Sequence, residues 1–210
     1  NAYIDHPEFA WSVYVDQMND SRLYFGDAPD VDGGSTVSLN LGPVFVGAPV
    51  PTRAVDLHKQ GVDGSYFEIS TTGAATSSLM GRYNAFSINQ TGIDGRSLEV
   101  AFGSSAAAVA GLATGQVIVD NLDVTLEGGL GRGGNDADDV INLEMTVLDR
   151  SEGSFAPESN VDSLLVDLGE IVQYSDDAVV QVPIYNLLAM SGFTAAMDLS
   201  LMLAGGVVRV

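Results

Sequence analysis

Cysteine is absent from the chain, which excludes disulfide cross-links, thiolate metal sites and a cysteine nucleophile. Basic side chains are scarce. Eight lysines and arginines, with Lys59 the single lysine, stand against 28 acidic residues, for a net charge of −20. A field of that sign repels phosphate backbones and anionic membrane surfaces, so nucleic acid is excluded as a partner and cations are favoured. No run of about 18 apolar residues occurs, so no membrane-spanning helix is expected. Aromatic residues make up only 8%. Trp11, Tyr14, Tyr24 and Phe25 cluster near the N-terminus, suited first to a core or interface and second to a sugar-binding face. The two histidines, His6 and His58, have no H-x-x-x-H spacing for zinc. The serine elbow G-x-S-x-G is missing. "GGLGRGG" (Gly128–Gly134) lacks the Lys-Ser/Thr of a phosphate loop and reads as a hairpin loop. Glu68, Glu99 and Glu144 supply carboxylates, but nothing in the spacing pairs them across a cleft. The chain reads as non-enzymatic. Its opening "NAYIDHPEF", with no Met and no charged-then-apolar leader, suits a processed, secreted chain or a trimmed one.

What is present points to β-structure. The 210 residues are 46% hydrophobic and include 24 glycines. A chain of this length buries about 70% of its unfolded surface on folding, enough for a real core. Gly, Asp, Asn and Ser fall in bursts between short apolar runs, the punctuation of an all-β fold. "STVSLNLG" puts Val37, Leu39 and Leu41 on one face. "DVINLEMTVL" does the same with Ile141, Leu143, Met145 and Val147, and "AVVQVPIYN" with Val180, Val182 and Ile184. Period two with one polar face marks half-buried antiparallel strands. "FAWSVYVDQM" also reads as a strand, with Trp11, Val13 and Val15 aligned. "AAAVAGLA" (Ala106–Ala113) suits either a short helical turn or a buried strand. Turns are expected at Gly26–Gly34, Lys59–Gly64, Gln90–Gly95, Glu127–Asp139 and Arg150–Asn160. The last is the candidate linker. The organisation expected is a strand segment over 1–34, a sandwich over 35–149, a linker over 150–160 and a partial repeat over 161–210.

That partial repeat is visible as a constant shift of 127. Leu41-Gly42 aligns with Leu168-Gly169, Val44 with Ile171, Val55 with Val182 and Leu57 with Ile184, and Phe67 falls near Phe193. The shared pattern, "LNLGPVFVG…AVDLHKQG…YFEIS" and "VDLGEIVQY…VQVPIYNLL…GFTAAM", resembles bacterial relatives of the abnormal-spindle/hydin group of immunoglobulin-like domains. With "VLDRSEGSF" before it, the second copy also resembles repeats of sorted bacterial surface proteins. The resemblance implies an antiparallel immunoglobulin-like β-sandwich followed by an incomplete second half-repeat, in scaffold or interaction proteins with no common chemistry.

A sandwich of this type takes about 100 residues and seven strands, whereas the second copy has about half that length. An uncovered half-sandwich exposes an apolar face and open edges. Three covers are available: the strands of the first copy, the N-terminal segment 1–34 acting as a docking or donor strand, or another subunit. "MDLSLMLAGGVVRV" aligns Met197, Leu199, Leu201 and Leu203. With Trp11, Val13 and Val15 these form the expected assembly interface. The chain therefore reads as a secreted structural subunit of a surface layer, matrix or filament that pairs with copies of itself. The other reading is a monomeric extracellular module binding carbohydrate or protein, with Ca²⁺ as its ion.

Two acidic turns are the candidate Ca²⁺ sites, since calcium takes six to eight oxygen ligands. Asp136, Asp138 and Asp139 form one, and Asp27, Asp30 and Asp32 the other. Asn19-Asp-Ser and Asn89-Gln-Thr match the glycosylation pattern.

Overall fold

The computed structural model describes residues 2–11, 19–27, 33–87, 95–125, 136–170, 172, 179–188 and 192–200. The chain forms two compact units, Asn1–Val147 and Leu148–Val210.

The first unit is an all-β sandwich. Its strands are β1 (Arg22–Phe25), β2 (Thr36–Phe45), β3 (Arg53–Gln60), β4 (Ser65–Gly73), β5 (Ala75–Ser77), β6 (Gly81–Phe86), β7 (Arg96–Phe102), β8 (Gly111–Thr125) and β9 (Asp139–Leu148). One sheet has the order β1-β3-β7-β5 and the other β2-β9-β8-β4-β6. This is the immunoglobulin arrangement, A-B-E-D against C-F-G, with β6 added beside the C strand β4 and β2 beside the G strand β9. The pairs β1–β3, β3–β7, β5–β7, β4–β6, β4–β8 and β8–β9 are antiparallel. Strand β2 departs from that rule. Val140 N donates to Ser35 O, and Asn40 Nδ2 to Glu144 Oε1 104 residues away, so β2 and β9 advance in the same direction.

The period-two reading holds for β2 and β9 but not for Val180, Val182 and Ile184, which are exposed and lie outside any strand. Ile141, Leu143, Met145 and Val147 of β9 all point inward and are buried. They meet Val117 and Val119 of β8, Phe67 and Ile69 of β4, and Leu57, Leu98 and Val100 of the opposite sheet. Each such side chain contributes roughly 1.5–3 kcal/mol by leaving water. The Phe67 and Phe86 rings lie 5.4 Å apart and tilted, closing the core beside β6. Leu41 is buried at the middle of β2, and Val37 and Leu39 pack against the core from the same face. The stretch Ala106–Ala113 resolves into a 3-10 turn, Ser104–Ala107, followed by the start of β8.

The N-terminal segment is a correction. Pro7–Trp11 is a short helix, not a strand. Pro7 sits at the first helical position with its φ already set, and Glu8 and Ala10 favour helix over extended chain. Within the segment 1–34, Arg22–Phe25 is indeed a strand, but it pairs with β3 of its own chain.

The turn predicted at Lys59–Gly64 is held by the single lysine. Lys59 is buried, and its Nζ donates to Gly61 O at 2.8 Å and Asp63 O at 2.7 Å. The Asp20 carboxylate accepts the N–H groups of Val62 and Asp63. Gly61 has φ +91°, and a Cβ there would run into the Asp20 backbone. The entry to β1 is thereby tied to the β3–β4 turn.

The second unit has little regular structure. Strand β10 (Gly153–Ser154) pairs antiparallel with β11 (Tyr185–Asn186), so Gly153 and Ser154, inside the expected linker, are part of this unit. Asp149 N donates to Phe193 O, and Ala195 N to Asp149 O. Ser154 is a hub, with its Oγ donating to Ser159 O and accepting from Ala156 N and Val161 N.

Candidate functional site

The buried acidic groups of the first unit act inside the protein. Asp136 and Asp139 are buried, and Asp138 is exposed. Asp136 Oδ2 accepts Leu23 N at 2.7 Å and Asn121 Nδ2 at 3.3 Å. Asp139 Oδ1 accepts both the N–H and the Oγ–H of Ser35 at 2.6 Å, and Ser35 Oγ in turn accepts Phe25 N. Burial pushes the Asp139 carboxyl up to about 7, against the lowering effect of the two Ser35 bonds, and the neighbouring Asp136 and Asp138 add to the rise. Gly33 and Gly34 lie against Ala137 and Asp138, so the two acidic turns do meet. Asp27 is exposed, and Asp30 and Asp32 lie outside the described residues. Among the described residues no group of three or more His, Asp or Glu side chains is arranged to hold a metal ion.

These bonds close a sheet edge. Leu23 and Phe25 turn their N–H groups away from β3, where a foreign strand could add, and Asp136 and Ser35 take them. Other edges are guarded too. Strand β2 carries Gly42 at φ +86°, followed by Pro43, which has no N–H. On β6, Asn84 Nδ2 donates to Gly81 O and Arg96 donates to Ala85 O. Unpaired strand groups are the usual template for unwanted association, and side chains that occupy them suppress it.

The outer face of the five-stranded sheet carries a polar groove of about 560 Å³. Asn40 bonds Glu144, Gln116 bonds Asn142, and Thr72 reaches Gln116 across the strands.

The second unit is built in the opposite way. The repeat is real at its Leu-Gly corner. Asn40 Oδ1 accepts Gly42 N at 2.8 Å, and Asp167 Oδ1 accepts Gly169 N at 2.9 Å. Both glycines have positive φ, 86° and 66°. The same Asx turn therefore recurs 127 residues later. The environments differ completely. Leu57 is 0% exposed in the sandwich, whereas its counterpart Ile184 is 44% exposed. Leu165 reaches 93%, and Val172, Val179 and Val180 are also exposed. Among the described residues of this unit the only buried one is Ser154. A groove of about 630 Å³ runs through it, walled by Phe155, Leu164, Val166, Val182, Ile184 and Leu199.

Of the residues expected at the interface, Trp11 is 63% exposed and Leu199 59% exposed. Met197 is half-buried, with its Sδ facing Gly153. Val13, Val15, Leu201 and Leu203 lie outside the described residues. The groove walls Phe155, Leu164 and Val166 were not singled out from sequence. The constant shift of 127 sets Leu164 against Val37 and Val166 against Leu39 and so points to those two, whereas Phe155 precedes the repeat and carries no such signal. Asn19 is buried with its amide nitrogen on Gly64 O, so this sequon has no accessible acceptor in the folded chain, and Asn89 is outside the described residues. His6 is exposed against Glu8 at 2.9 Å, and His58 lies beside Tyr24 at 5.3 Å. Among the described residues no helix is long and apolar enough to cross a membrane.

No protein-family model and no curated protein matches the sequence. Solved structures show a distant likeness. The ASH/PapD-like domain 7 of human CEP192 is 8% identical with TM-score 0.38, over 59% of this chain and 92% of that one. The E. coli chaperone DraB is 8% identical with TM-score 0.33, over 61% of this chain and 55% of its own. A CARDB domain from Pyrococcus furiosus is 13% identical with TM-score 0.28, over 61% and 94%. The immunoglobulin-like assignment rests on the chain's own strand order.

Proposed function

We propose that this chain is a non-enzymatic, extracellular structural module, related to the bacterial abnormal-spindle/hydin-like domains, that assembles with copies of itself on a cell surface. The first unit is a spacer whose edges are guarded, and the second unit is the docking element. One observation carries this reading: the repeat keeps its Leu-Gly corner but leaves Ile184, Leu165 and Val179 in water. Isolated two-stranded elements are marginal in water, and contiguous exposed apolar surface marks an association site. Each side chain covered by a neighbour adds roughly 1.5–3 kcal/mol before the cost of association. Light scattering across a concentration series tests it. The wild type gains mass with concentration, and Ile184→Asp stays monomeric. A wild type that remains a monomer throughout contradicts the proposal.

A second reading has its own support. The polar groove on the five-stranded sheet, with the amides of Asn40, Gln116 and Asn142 and the carboxyl group of Glu144 along it, offers donors and acceptors of the kind that bind a glycan. A glycan array probed with the wild type and with Gln116→Ala separates this reading from assembly.

A further inference from the structure

The groove of the second unit has a charge as well as a shape. Asp162 is among the residues that line it, and none of the lining residues is basic. Two copies of this face set against each other bring acid to acid, which destabilises a symmetric pairing. The occupant therefore has to be apolar and free of acids. A segment of that description lies directly beyond the groove wall. Leu199 and Ser200 line the groove, and residues 201–210, "LMLAGGVVRV", are apolar with a single charge, Arg209.

Building on the assembly reading above, we infer that the groove of one copy takes residues 201–210 of the next copy as an extended strand. Leu201 and Leu203 share one face of that strand at period two, as do Val208 and Val210, so either pair can enter the apolar channel between Val182, Ile184 and Phe155. Arg209 brings a positive charge that complements Asp162 of the groove lining. The contact is heterologous, with donor and acceptor being different surfaces, so it propagates head to tail into rings or filaments.

Two full-length variants test the pairing. One carries Leu201→Asp and Leu203→Asp, which spoils the donor. The other carries Val182→Asp and Ile184→Asp, which spoils the acceptor. Each alone is expected to be a monomer by light scattering, with the far-ultraviolet circular dichroism of the wild type. Mixed, they are expected to form a one-to-one pair, because each retains the half the other lost. Arg209→Glu is expected to weaken wild-type association by about tenfold, with a matching loss of salt dependence. A synthetic peptide of residues 201–210 is expected to dissolve wild-type assemblies by competition, which keeps the test valid if a double variant misfolds. A donor variant that assembles as well as the wild type overturns this inference but leaves assembly standing. Folded variants that stay monomeric when mixed overturn it too, because a free groove and a free strand then fail to pair. A wild type that never associates removes both the inference and the assembly reading.

Discussion

Asp139→Asn isolates the electrostatics of the buried edge clasp. The Asp139 carboxyl is fully buried, and its pKa is raised from 3.8 to about 7, chiefly by that burial. Between these two values the folded chain holds a proton that the unfolded chain has released. Stability therefore falls as pH rises from about 4 to about 7 and then levels off. A displacement of roughly three pH units at about 1.36 kcal/mol each amounts to roughly 4 kcal/mol across the window. Asparagine carries no charge at any pH, and its Oδ1 still accepts both Ser35 bonds. The variant and the wild type are expected to be similar at pH 5. At pH 8 the variant is expected to be more stable, by up to about 4 kcal/mol. Urea unfolding followed by far-ultraviolet circular dichroism from pH 4.5 to 8.5 measures this directly. The general self-repulsion of a chain at −20 acts on both proteins and cancels in the difference. Asp20 does not interfere. Burial raises its pKa, but the N–H bonds from Asp63 and Val62 and the nearby Lys59 outweigh that and leave it lowered. Its stability is present above the ordinary value and is lost only as pH falls below it. Parallel pH profiles for wild type and variant would refute the reasoning. A wild-type profile that millimolar calcium flattens would also do so, by showing a cation where a proton is expected.

Other substitutions probe the scaffold, each read by chemical unfolding. Lys59→Met leaves Gly61 O and Asp63 O without their donor and is expected to cost about 1–3 kcal/mol. Gly61→Ala forces a Cβ against the Asp20 backbone at φ +91° and is expected to cost more than about 1 kcal/mol. Phe67→Ala empties the centre of the core beside Phe86 and is expected to cost about 3–5 kcal/mol.

The parts of this protein legible in its sequence are those governed by short-range pattern. Alternation in "DVINLEMTVL" locates the core face of β9, because side chains on a strand have no third direction. The Leu-Gly repeat foretells a shared corner, because only glycine takes positive φ without strain after an Asx turn. The acidic turns show the limit. From sequence, Asp136 and Asp139 read as cation ligands or as part of a solvated turn; in the fold they are buried and bond Leu23 and Ser35, more than 100 residues away in sequence. No local pattern records a partner at that distance. Lys59 is similar, since a lone lysine beside a turn looks exposed until the turn wraps its ammonium. Pro7–Trp11 went the other way: the alternation of Trp11, Val13 and Val15 suggested a strand, and the helix-starting proline decided the local structure at Trp11.

Hydrogen exchange of the second unit at two protein concentrations tests the central claim most directly. The account predicts that amides around Val182–Leu187 exchange freely in dilute solution and become protected when the chain is concentrated, while those of β8 and β9 stay protected in both. Equal protection of Val182–Leu187 at both concentrations, whether high or absent, would contradict it.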